Sequence, residues 1–101
     1  MNAATLNQSA ELTALCRQYH VRTLSLFGSA AREEATPQSD VDLLIEFEPG
    51  QAPSLAGFAR LKAALGQTLG AASIDLATTS ILRNPFRRRA ILGDLKLLYA
   101  A

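Results

Sequence analysis

The sequence predicts an α+β fold, a mixed β-sheet of about four strands with helices packed mainly on one face. Two observations carry that expectation. Helical and strand patterns alternate along the chain in the order α-β-turn-β-α-β-α-β. Within that order, residues 40–47 alternate as only a strand with two unlike faces does: Val41, Leu43, Ile45 and Phe47 on one side, Asp40, Asp42, Leu44 and Glu46 on the other. The 101 residues, 49% of them hydrophobic, suit one modest core and a single domain over 1–101.

The first helix is expected from about residue 6 or 9 to residue 19, because Leu12, Leu15, Cys16 and Tyr19 recur at three- and four-residue spacing. His20 marks its exit. Residues 21–27 form a strand whose apolar content is Val21, Leu24, Leu26 and Phe27, and Gly28 stops it. Residues 29–32 are expected as one short helical turn capped by Ser29. Residues 33–39 are polar, contain Thr36-Pro37 and read as a loop. The second strand covers 40–47 and ends at Glu48-Pro49-Gly50. A helix over 54–69 places Leu55, Phe58, Leu61, Leu65 and Leu69 on one side, with Gly70 as its stop. The third strand is expected over 72–77, with Ile74 and Leu76 toward the core and Ser73, Asp75 and Ala77 away from it. A last helix over 85–92 and a short strand over 96–99 complete the chain. Neither a repeat nor a low-complexity segment interrupts it.

Composition narrows the function classes. Ten basic and nine acidic residues give a net charge of +1, so no global field draws the chain to nucleic acid or membrane. No apolar run approaches the length of a membrane span. The first ten residues lack the basic and apolar regions of a secretion signal. A single cysteine, Cys16, excludes an internal disulfide and suits a reducing cytoplasm. The slightly apolar composition favours a protein partner.

The chemistry concentrates in Gly28-Ser29, ten intervening residues, then Asp40-Val41-Asp42. Side chains at i and i+2 of a strand point the same way, about 7 Å apart. Two carboxylates so placed can share divalent cations, and Mg²⁺ takes one or two carboxylates together with substrate phosphates. Asp75 lies on the non-core face of its own strand and is the third member if that strand neighbours the second. Two metals about 3.5–4 Å apart could then clamp the attacking and leaving oxygens of a displacement. Gly28 lets backbone approach an anion closely, the Ser29 hydroxyl adds a hydrogen bond, and Arg32 reaches phosphate or pins the loop. Each piece alone has an ordinary explanation: a turn, a solvated strand edge, a surface carboxylate. Their joint arrangement points to metal-dependent transfer from a nucleoside triphosphate.

The run from Gly28-Ser29 to Asp40-Val41-Asp42-Leu43-Leu44-Ile45 resembles the signature of the DNA polymerase β-type nucleotidyltransferase superfamily. Phe27-Gly28-Ser29-Ala30-Ala31-Arg32 and Ala35-Thr36-Pro37-Gln38-Ser39-Asp40 are similar to its minimal stand-alone branch, the MNT proteins. The likeness extends to Ile74-Asp75-Leu76 and to the basic helix before Leu98-Tyr99. The resemblance implies a Mg²⁺-dependent transferase, with two ions expected and ATP as substrate. It implies that Gly28 and Ser29 hold the triphosphate and that Asp40 and Asp42 bind metal. Asp75 would complete the catalytic and metal-binding triad and activate the acceptor hydroxyl. It further implies a HEPN-domain ribonuclease toxin as partner, neutralised by transfer of AMP to a tyrosine. One residue departs from the pattern: Glu33, followed by Glu34, stands where the family often has glycine. That departure motivates an alternative, a binding-only antitoxin with a weak or vestigial nucleotide site. A transferase for small-molecule acceptors is disfavoured because no second domain grips such an acceptor.

Other candidates read as structural. Arg83, Arg87, Arg88 and Arg89 form a basic cluster that could meet phosphates, RNA or an acidic partner. A solvated helix end or a partner contact is the preferred reading, and direct nucleic-acid binding is not expected, since no aromatic residue beyond Phe86 interleaves the cluster and a stacking platform is not supported. His20 has no metal-ligand companions, and Cys16, Tyr19 and Phe27 are expected in the core.

Overall fold

The computed structural model describes residues 10–31, 40–71 and 73–101. Its elements are α1 (Ala10–Gln18), β1 (Val21–Phe27), the single turn α2 (Gly28–Ala31), β2 (Val41–Phe47), α3 (Leu55–Leu69), β3 (Ile74–Thr78), a 3₁₀ turn (Thr79–Arg83), α4 (Pro85–Gly93) and β4 (Lys96–Ala100). The strands form one sheet in the order β3-β2-β1-β4. β1 runs antiparallel to both β2 and β4, whereas β2 and β3 are parallel, joined across α3. The sheet is therefore mixed, as expected.

The face holding Val41, Leu43 and Ile45 is sealed by Leu12 and Cys16 of α1 and by Leu61, Leu65 and Leu69 of α3. A register shift between Val21 and Thr23 turns Val21 onto the same face as Leu24 and Leu26, which simple alternation would not allow. α4 covers the opposite face, where Ile91 packs on Phe27 and Leu44. Two of the three longer helices thus share one face, and the third gives Leu44 its cover.

Local chemistry sets the ends of α3. The Ser54 hydroxyl accepts from the Gly57 amide at 3.1 Å, and Gly70 closes the helix in the left-handed region at φ 65°. His20 takes a similar conformation after α1, at φ 58°, and its carbonyl accepts from the Glu48 amide at 2.9 Å.

Three sequence expectations need correction. Leu55 is 88% exposed and not part of the core face, because it lies in the first turn of α3, ahead of the residues that meet the sheet. The third strand begins at Ile74 and extends to Thr78, and a 3₁₀ turn follows where no element was expected. The helical turn starts at Gly28, so Ser29 lies within it and not at the position before it. Residues 33–39, expected as a loop, lie outside the described residues.

Candidate active site

β2 opens with the two aspartates. Asp40 is exposed just before the strand, and Asp42 is half-buried as its second residue. The Val41 amide donates to the Ser73 carbonyl at 3.0 Å, which seats the start of β2 beside β3. In the parallel register Asp42 stands level with Asp75, on strands about 4.8 Å apart. On its other side Asp42 pairs with Phe27, the last residue of β1, so Gly28 follows immediately beside it.

Gly28 has φ +69°, a conformation that L side chains rarely adopt. A Cβ at this position would also collide with Asp42 Oδ2 and lie 3.3 Å from its Cγ. Backbone geometry and the neighbouring carboxylate thus both demand glycine. The result is a cradle in which main chain, and not a side chain, faces the aspartate.

Electrostatics tie the remaining residues together. The Asp42 carboxyl is held above the ordinary carboxylate range, first by burial, then by the charges of Asp75 and Asp40; the Arg87 guanidinium works the other way. Arg87 comes from the first part of α4, where the Asn84 side chain accepts from the amides of Phe86 at 3.0 Å and Arg87 at 3.2 Å. A cleft of about 310 Å³ opens there, bounded by Gly28, Phe86 and Arg87. A larger cleft, about 700 Å³, lies at the other end of β2, near Glu48, Leu55 and Arg83.

The structure therefore brings Asp40, Asp42, Asp75 and Gly28 together. Ser29 contributes backbone to α2, while its hydroxyl, together with Arg32, Glu33 and Glu34, lies outside what the structure describes. Sequence reading placed Arg87 only within a basic cluster. Its nearness to Asp42 depends on α4 crossing the site face, and no local pattern announces that. Cys16 is fully buried, and burial pushes its thiol up to about 11, in keeping with a packing role.

Among the described residues, no three His, Cys, Asp or Glu side chains are gathered closely enough to hold a metal ion by themselves. The arrangement nonetheless fits a divalent cation that shares its ligands with a substrate. The donors are hard carboxylate oxygens that repel one another, and the glycine cradle leaves room beside them. Among the described residues, no helix is long and apolar enough to cross a membrane.

Comparison with known proteins gives a consistent picture. Residues 11–98 match the family described as the nucleotidyltransferase domain. The protein adenylyltransferase MntA of Thermococcus cleftensis is 38% identical over 76 residues, covering 75% of this chain and 74% of its own length. A solved structure of a provisionally named minimal nucleotidyltransferase is 35% identical, covers 95% of both chains and superposes with a TM-score of 0.71. The fold also matches, at a TM-score of 0.62 and 16% identity, a structure of the tri-AMPylated Shewanella oneidensis HEPN toxin in complex with MNT antitoxin. That match covers 98% of this chain and 73% of the other.

Proposed function

The chain belongs to the nucleotidyltransferase domain family, and from that premise we propose that it is the antitoxin of a HEPN/MNT pair. In this reading it acts as a single domain over residues 1–101, in the cytoplasm, and transfers AMP from ATP to a tyrosine hydroxyl of its HEPN toxin. The observation that carries the reading is the side-by-side placement of Asp42, Asp75 and the glycine cradle at Gly28. The names of a relative and of a structural neighbour, a protein adenylyltransferase and an AMPylated toxin complex, supply the acceptor class.

Each residue then has a task. Gly28 and Ser29 hold the triphosphate, with Arg32 as a further phosphate contact. Asp40 and Asp42 would hold Mg²⁺, with Asp75 completing the set for a second ion. A cation held there would supply charge neutralisation to the triphosphate and to the departing pyrophosphate. Asp75 takes the proton from the acceptor hydroxyl. The freed oxygen forms a bond to the α-phosphorus, and the bond from that phosphorus to the bridging oxygen breaks. Pyrophosphate leaves with the electron pair. Arg87 offsets the negative charge that three aspartates and a triphosphate concentrate in one place.

The binding-only alternative draws support from Glu33 and Glu34, two carboxylates that follow Arg32 and would repel a triphosphate held nearby. The double variant Asp40→Ala/Asp42→Ala separates the two. Under the transferase reading it still co-purifies with the toxin but no longer protects cells. Protection that survives the double substitution would favour neutralisation by binding alone.

A further inference from the structure

Phe86 is 85% exposed, and its backbone amide is fixed. It sits in the first turn of α4, directly after Pro85, and its own amide is one of the two that Asn84 fixes. A phenyl ring presented to solvent from a capped helix start adds nothing to the core, and its exposed face favours a flat apolar ligand. Phe86 lines the cleft of about 310 Å³ together with Phe27 and Ile91. Two residues link that cleft to the aspartates. Gly28 borders it and abuts the Asp42 carboxylate, and Arg87 borders it and acts electrostatically on the same carboxylate. A molecule with phosphates at Gly28 and Asp42 can therefore extend an attached ring into this cleft without leaving the site.

We propose that Phe86 is the stacking platform for the nucleobase of the nucleoside triphosphate, with the cleft between Gly28 and α4 as the nucleoside pocket. This inference rests on the nucleotidyltransferase reading above. Asp75 stands on the edge strand, on the opposite side of Asp42 from Gly28, and in this reading the acceptor enters from that side. With the departing phosphates at Gly28, the acceptor then enters opposite the leaving pyrophosphate, as an in-line displacement at phosphorus requires.

The chain contains no tryptophan, so Phe86→Trp places a single fluorescent reporter at the proposed platform. With Mg²⁺ present, ATP is expected to quench this tryptophan, whereas inorganic tripolyphosphate, which lacks a base, is not. In calorimetry, Phe86→Ala is expected to raise the Kd for ATP about tenfold, in line with the loss of one base–aromatic stack, and to leave the Kd for tripolyphosphate unchanged. The exposure of Phe86 makes both variants safe for the fold. Equal fluorescence responses to the two probes, or an unaltered ATP Kd in Phe86→Ala, would overturn the pocket while leaving the transferase reading intact. A wild-type chain that binds neither probe would overturn both. Phe86→Ala that weakens only the toxin complex would assign the ring to the partner interface instead.

Discussion

At Asp42, burial and the charges of Asp75 and Asp40 act against ionisation, and Arg87 relieves them only in part. The folded protein therefore keeps a proton on Asp42 at pH values where the unfolded chain has lost it. Stability then falls as pH rises from the ordinary carboxylate value through the raised folded value, and the cost is fully present above that. Asp42→Asn is accordingly expected to melt at a higher temperature than the wild type at pH 7, with the difference vanishing below about pH 4. Thermal melts across that range check the sign. Added Mg²⁺ should raise the melting temperature of the wild type more than that of Asp42→Asn, because the cation relieves a repulsion the variant has already lost. Gly28 makes the complementary case. Gly28→Ala must adopt a left-handed backbone and push its methyl into the Asp42 carboxylate, so a loss of about 1–2 kcal/mol is expected in urea unfolding, with nucleotide binding abolished.

Among the elements, α4 does most to assemble the site, and its start hangs on one side chain. Asn84→Ala frees the amides of Phe86 and Arg87 and is expected to cost about 1 kcal/mol in urea unfolding. It should also weaken ATP binding, because both residues lose their fixed positions, whereas Asn84→Asp should retain most of each property. The element scale also shows what the sequence could reveal. The alternation of β2 was legible because both faces carry distinct chemistry, carboxylates on one and aliphatic residues on the other. The end of α3 was legible because Gly70 and its left-handed turn form a local signal. Leu55 was misread because periodicity identifies a helix face but not the turn at which that face meets the sheet. The 3₁₀ turn Thr79–Arg83 escaped notice because it is short and buries none of its residues fully. Arg87 joined the site only through the packing of Ile91 on Phe27 and Leu44, a contact between residues far apart in sequence.

For the molecule as a whole, topology converts separate motifs into one site. The β2–α3–β3 crossover is parallel and sets Asp75 level with Asp42, whereas the antiparallel β1 ends beside Asp42 and delivers Gly28. Two strand starts and one strand end meet at one edge of the sheet, and α1 and α3 bury the opposite face without obstructing it. The proposed AMP transfer to a protein partner needs the assembled site and a second chain. The first measurement to make is the intact mass of the protein encoded beside this chain, co-purified with it as the proposed toxin, after incubation with ATP and Mg²⁺, with Asp40→Ala/Asp42→Ala as control. Under the proposed AMP transfer, a mass gain of whole AMP units on the toxin is expected with the wild-type chain only. A stable complex whose toxin gains no mass, or gains it equally with the double variant, would contradict it.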